Sequence, residues 1–108
     1  MLLLDDDDVL PDVPDAAEAH LAAQLGNNGL ERIDQSLRRH AQDRWLKVAR
    51  VVAYALRDGG FSRADEDTVR LHVRRVGLLV ESGKLEAQGN PHQPRWCEVR
   101  TNRTPGIR

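Results

Sequence analysis

Aromatic side chains are nearly missing from this 108-residue chain: two Trp, one Tyr and one Phe make up 4% of it. A core without rings must be built from Leu, Val and Ala. A lone cysteine, Cys97, excludes an internal disulfide and favours a reducing compartment. No apolar run approaches the roughly 18 residues of a membrane span, so no membrane partner is expected. Met1-Leu2-Leu3-Leu4-Asp5 lacks both a basic n-region and a long apolar region, which does not read as a secretory signal and leaves the cytoplasm as the expected location. Lys and Arg do not occur at all in residues 1–28.

That last absence is half of a charge asymmetry. The net charge is −1, yet residues 1–28 carry seven acids: Asp5 to Asp8, Asp12, Asp15 and Glu18. All 16 basic residues and the other 10 acids follow, a net of +6. Two readings stand for the acidic arm, residues 1–14. It is a solvated tail, or it folds back onto the basic surface and competes with an anionic ligand. Pro11 and Pro14 keep it from being helical. Leu2, Leu3 and Leu4 are apolar enough to dock on the domain or a partner.

The domain is expected over residues 15–101, followed by a basic tail, 102–108. Asp15 with Glu18 makes a capping-box start for a first helix carrying Leu21 and Leu25, stopped by Gly26-Asn27-Asn28-Gly29. Leu30, Ile33 and Leu37 mark a second helix, to about Arg39. Trp45, Val48, Ala49, Val52 and Leu56 mark a third, from about Arg44 to Arg57, apolar on most sides and therefore central. Asp65, Glu66 and Asp67 open a fourth, where the helix dipole favours acids. Val69, Val73, Val76 and Val80 form its core stripe, with His72 on the edge, and Gly83 is its left-handed cap. Leu85 and Ala87, then Cys97 and Val99, alternate with polar residues as two half-buried strands of a hairpin. The expected fold is mainly α and winged-helix-like: about four helices, then a two-stranded C-terminal β-hairpin.

Two segments carry family resemblances. Leu79-Val80-Glu81-Ser82-Gly83-Lys84-Leu85-Glu86, a polar turn with Asn90-Pro91, then Glu98-Val99-Arg100 resembles the recognition helix and wing of MarR-like winged-helix regulators. Arg44-Trp45-Leu46-Lys47-Val48-Ala49-Arg50-Val51-Val52 with Gly83-Lys84-Leu85-Glu86-Ala87-Gln88-Gly89 resembles a small bacterial domain family of unknown function, over about residues 30–100. The resemblances imply the fold and, from the first, transcription regulation. The connection from Asp58 to Glu66 is longer than the three or four residues of a helix-turn-helix.

No catalytic constellation is evident. Gly77 to Lys84 has the wrong glycine spacing for a phosphate loop, and Leu85 stands where Ser or Thr must be. His20, His40, His72 and His92 lack metal-ligand spacing. The reading is therefore a non-enzymatic binding module without cofactor, metal or evident small-molecule substrate. The leading function is DNA binding through Arg70, Arg74 and Arg75 of the fourth helix and Lys84 and Arg95 of the wing. The alternative is a protein partner or a homodimer contact through Leu71, Leu78 and Trp96. Leu71 and Leu78 lie opposite the valine stripe, between Arg74 and Arg75, where a groove-reading helix would not place them. Either the N-terminal helix or another chain covers them.

Overall fold

The computed structural model describes residues 8–102. The Leu2–Leu4 run, Asp5 to Asp7 and the tail beyond Asn102 lie outside the described residues. Along the rest run helix α1 (Ala16–His40), strand β1 (Leu46–Lys47), α2 (Val48–Asp58), α3 (Glu66–Glu81), β2 (Leu85–Gln88) and β3 (Glu98–Thr101). The strands form one antiparallel sheet in the order β1-β3-β2. The described residues thus form an α/β fold, with three helices and three strands. The expectation of a mainly α, winged-helix-like fold with about four helices and a two-stranded hairpin is corrected on both counts.

The helix count changes at Gly26. The glycine-asparagine cluster was expected to end one helix and separate it from the next. Instead the chain bends once and continues: Gly26 sits at φ 66°, ψ −178°, a region open only to glycine, and helix resumes at once. Packing explains the continuity. Ile33 and Leu37 after the bend are buried, and Leu21, Leu25 and Leu30 lie against the same core. Tertiary contact on both sides of the bend stabilises turns that would be marginal alone. Asp15 caps the start, accepting a bond from the Glu18 amide at 2.9 Å.

The strand count changes at Leu46-Lys47. The apolar pattern from Arg44 onward reads as unbroken helix, but its start is taken by sheet pairing. Leu46 pairs with Val99 and Lys47 with Glu98. Helix α2 then begins without a side-chain cap. Its first amides are satisfied by carbonyls from the chain before β3: Val48 donates to Cys97 at 2.9 Å and Ala49 to Pro94 at 3.0 Å. β2 pairs with the other edge of β3, Leu85 opposite Thr101 and Ala87 opposite Val99. Leu46, Leu85 and Val99 close the core from the inner sheet face. Glu86 and Arg100 pair across the outer face at 2.7 Å, and the Arg100 guanidinium lies 4.4 Å over the Trp45 ring. Trp45 is therefore a half-buried cover for the sheet rather than a core residue.

The centre is aliphatic. Val48, Val51 and Val52 of α2 meet Val69, Val73 and Val76 of α3, all fully buried. Burying each such side chain contributes about 1.5–3 kcal/mol before entropy is counted. Val80 is half-buried at the rim. Asp65 caps α3 by accepting from the Asp67 amide at 3.2 Å, and Gly83 at φ 80° ends it.

Glycines 26 and 77 should respond oppositely to alanine. Gly26→Ala forces a β-carbon into left-handed backbone and is expected to cost about 1–3 kcal/mol. At Gly77, within α3, a β-carbon would meet only the His92 ring at 3.6 Å, ordinary contact. Gly77→Ala should therefore stabilise by about 0.5–1 kcal/mol through helix propensity. Urea unfolding midpoints of the two variants measure both signs.

Candidate binding surface

Three arginines were expected to point outward from α3. Each instead meets acids on neighbouring elements. Arg70 bonds Asp15 at 2.9 Å and Glu66 at 3.4 Å. Arg75 makes a two-pronged pair with Asp34, at 2.9 and 2.7 Å. That pair holds the Arg75 pKa above its ordinary value, against the opposing effect of burial.

Arg74 is the most heavily engaged. Its Nε donates to one Glu18 oxygen and Nη2 to the other at 3.2 Å. Nη1 donates to the Asp12 carbonyl at 3.0 Å and Nη2 to the Pro11 carbonyl at 2.9 Å. Glu18 is 1% exposed. It does not complete a capping box, because its carboxylate turns away from the helix end to Arg74. One guanidinium thus ties the start of α1 and the arm to α3.

The arm folds back through its backbone. Leu10 is buried, its amide donates to the His92 carbonyl at 2.8 Å, and its own carbonyl accepts from His92 Nδ1 at 2.9 Å. The Asp12 side chain is fully exposed and comes no nearer than 3.7 Å to His92 Nδ1.

The remaining expected contact residues separate. Leu71 is buried in the core and cannot serve a partner without unfolding, whereas Leu78 is 43% and Trp96 59% exposed. Lys47 lies 5.8 Å from the Trp96 ring centroid, on the outer sheet side. Leu78 instead borders a depression with Asp12, Pro14, Arg74, Gly77, Glu81 and His92. Val13, 76% exposed, stands in the arm beside it. Lys84 is in a different place again, around a depression shared with Arg38 and Arg39. Arg95 is exposed on the chain leading to β3. Val13, Arg38 and Arg39 were not singled out from the sequence; their grouping depends on where the arm and the end of α1 are held.

Burial, with help from Glu98 and against Lys47, pushes the Cys97 thiol up to about 11, so it is protonated and inert. Among the described residues, no group of three or more His, Cys, Asp or Glu is placed to hold a metal ion. No helix among them is long and apolar enough to cross a membrane. Comparison with protein-family models, curated proteins and solved structures finds no significant match. The functional reading therefore rests on the geometry.

Breaking the buried pair from one side should be severe. Glu18→Leu or Arg74→Met alone leaves a buried charge and is expected to cost about 3–5 kcal/mol, while the double variant should recover much of that loss. A double-mutant cycle by denaturant unfolding measures the coupling.

A second outcome concerns His72, buried and bonded through Nδ1 to the Thr68 carbonyl at 2.8 Å. Burial pulls its pKa below the ordinary 6.5, against the opposing effect of that bond. The folded state therefore binds the proton less readily than the unfolded chain. Its contribution is complete above pH 6.5 and is lost as pH falls from there through the folded pKa. His72→Gln should flatten stability against pH just below 6.5, read from urea midpoints in a pH series.

Proposed function

We propose that the chain is a non-enzymatic binding module that works by protein contact at the junction of the arm and α3. One observation carries this reading: the α3 arginines that a nucleic-acid reader would need are occupied by the protein's own carboxylates and carbonyls. The same region leaves Leu78 and Val13 outward, beside the exposed carboxylates of Asp12 and Glu81. The depression beside Leu78 also carries Asp12 and Glu81. With Arg74 already paired to Glu18, Leu78 and Pro14 beside the Asp12 and Glu81 carboxylates suit a partner segment with an apolar anchor flanked by Lys or Arg.

A second reading keeps nucleic acid but moves it. Arg38, Arg39 and Lys84 surround a depression with Gln35, Leu85 and Thr101, and no carboxylate lines it. Such a group suits phosphate contact without base reading. Of the residues first expected to bind DNA, only Lys84 belongs to it.

Selection from a displayed peptide library against the immobilised chain distinguishes the two. Enrichment of apolar anchors flanked by Lys or Arg, with binding reduced at least about tenfold by Leu78→Asp, is the expected result. If instead a fluorescent duplex binds at low salt, loses affinity steeply with added salt and ignores Leu78→Asp, the protein-contact reading fails and the Arg38-Arg39-Lys84 surface replaces it.

A further inference from the structure

Between the bend of α1, the end of α2 and the middle of α3 lies a cavity of about 350 Å³. That volume suits a small organic ligand. Leu25 and Ile33 of α1, Ala55 of α2 and Phe61 give it apolar walls. Two buried polar side chains also line it, Ser36 at 7% and His72 at 1% exposure. The Ser36 hydroxyl is buried and has no hydrogen-bond partner among the described residues. Leaving a buried hydroxyl unpaired is unfavourable, so a polar atom brought in by a ligand has something to gain there.

His72 adds a defined acceptor. A carbonyl oxygen can only accept, so the bond to Thr68 puts the ring proton on Nδ1 and leaves Nε2 with its lone pair. The Phe61 ring meets the imidazole edge-on at 5.1 Å and helps fix its plane.

The mouth is charged. Arg32, Arg39 and Asp58 border it. Asp58 is already bonded to His40 Nε2 at 2.6 Å, a contact that holds its carboxyl below the usual value. Arg32 and Arg39 are exposed and belong to none of the close ion pairs found among the described residues, although Arg39, after His40, also favours the Asp58 carboxylate. The opening therefore carries two cations against one carboxylate, while the inner walls are uncharged and mainly apolar, with Ser36 and His72 as their polar groups.

We propose that this cavity binds a small organic acid. Its apolar body packs between Leu25, Ile33, Ala55 and Phe61. A hydroxyl or amide at the inner end bonds Ser36 Oγ and His72 Nε2, and a carboxylate at the outer end meets Arg32 and Arg39. The site shares no residue with the Leu78 surface, so either can fail without the other.

The test is a nuclear-magnetic-resonance titration of the full chain with a hydroxynaphthoate carrying its hydroxyl and carboxylate at opposite ends, beside its neutral amide. Saturable shifts should concentrate on residues around the cavity, and the carboxylate should bind about tenfold tighter than the amide. Arg32→Gln with Arg39→Gln should erase most of that preference while leaving the unfolding midpoint unchanged. Ser36→Leu and, separately, Ala55→Leu fill the cavity and should abolish binding with a dispersed spectrum retained. No saturable shifts at millimolar probe, shifts located elsewhere, equal affinity for both probes, or binding that survives both filling variants would each overturn the proposal.

Discussion

The contact between Arg74 and Glu18 is the joint that ties the start of α1 and the residues just before it to α3. Its geometry is unusually complete: one guanidinium satisfies a buried carboxylate and two backbone carbonyls of the arm. A buried ion pair is a poor source of net stability, because both charges must leave water. Its value lies in direction. A carboxylate that is 1% exposed can sit in only one place along α3, and that fixes how α1 lies on it. Asp15 with Arg70 and Asp34 with Arg75 repeat the same complementarity on either side of the bend at Gly26.

This joint decides which functional readings the surface can support. Arginines facing water on α3 would make a polyanion reader. Arginines facing α1 instead pair with Asp15, Glu18 and Asp34. Residues 10–12 do fold back on the protein, Pro11 and Asp12 through their carbonyls to Arg74 of α3 and Leu10 through its buried side chain. The surfaces left outward are smaller and chemically distinct: an apolar ledge at Leu78, a basic depression at Lys84 and a cavity behind Ser36.

How much of this was legible in the sequence follows from the range of each interaction. The valine stripe of α3, the Asp15 cap and the stop at Gly83 are local patterns, and all three could be read directly. β1 could not, because nothing in Leu46-Lys47 differs from a helix start until Val99 and Glu98 are alongside. The bend at Gly26 was read as a stop because its turn chemistry is strong, and only the packing of Ile33 and Leu37 shows why the helix continues. The arginine partners lie 41 to 56 residues away in sequence. One signal for them was present: Asp15 and Glu18 are spaced one turn apart on their helix, as Arg70 and Arg74 are on theirs. Matched one-turn spacing of opposite charges on two helices is a pairing pattern, and it outweighs the outward reading of the arginines. The cavity had no sequence signal, since Ser36 and His72 come from different helices and neither belongs to a motif.

Hydrogen exchange by mass spectrometry on the Arg74→Met variant, under conditions where it remains folded, tests the central joint most directly. Amides of residues 8–25 should exchange markedly faster than in the unaltered chain, while the sheet formed by β1, β2 and β3 keeps its protection. Unchanged protection across residues 8–25 would contradict the assignment of Arg74 as the residue that holds the arm and α1 in place.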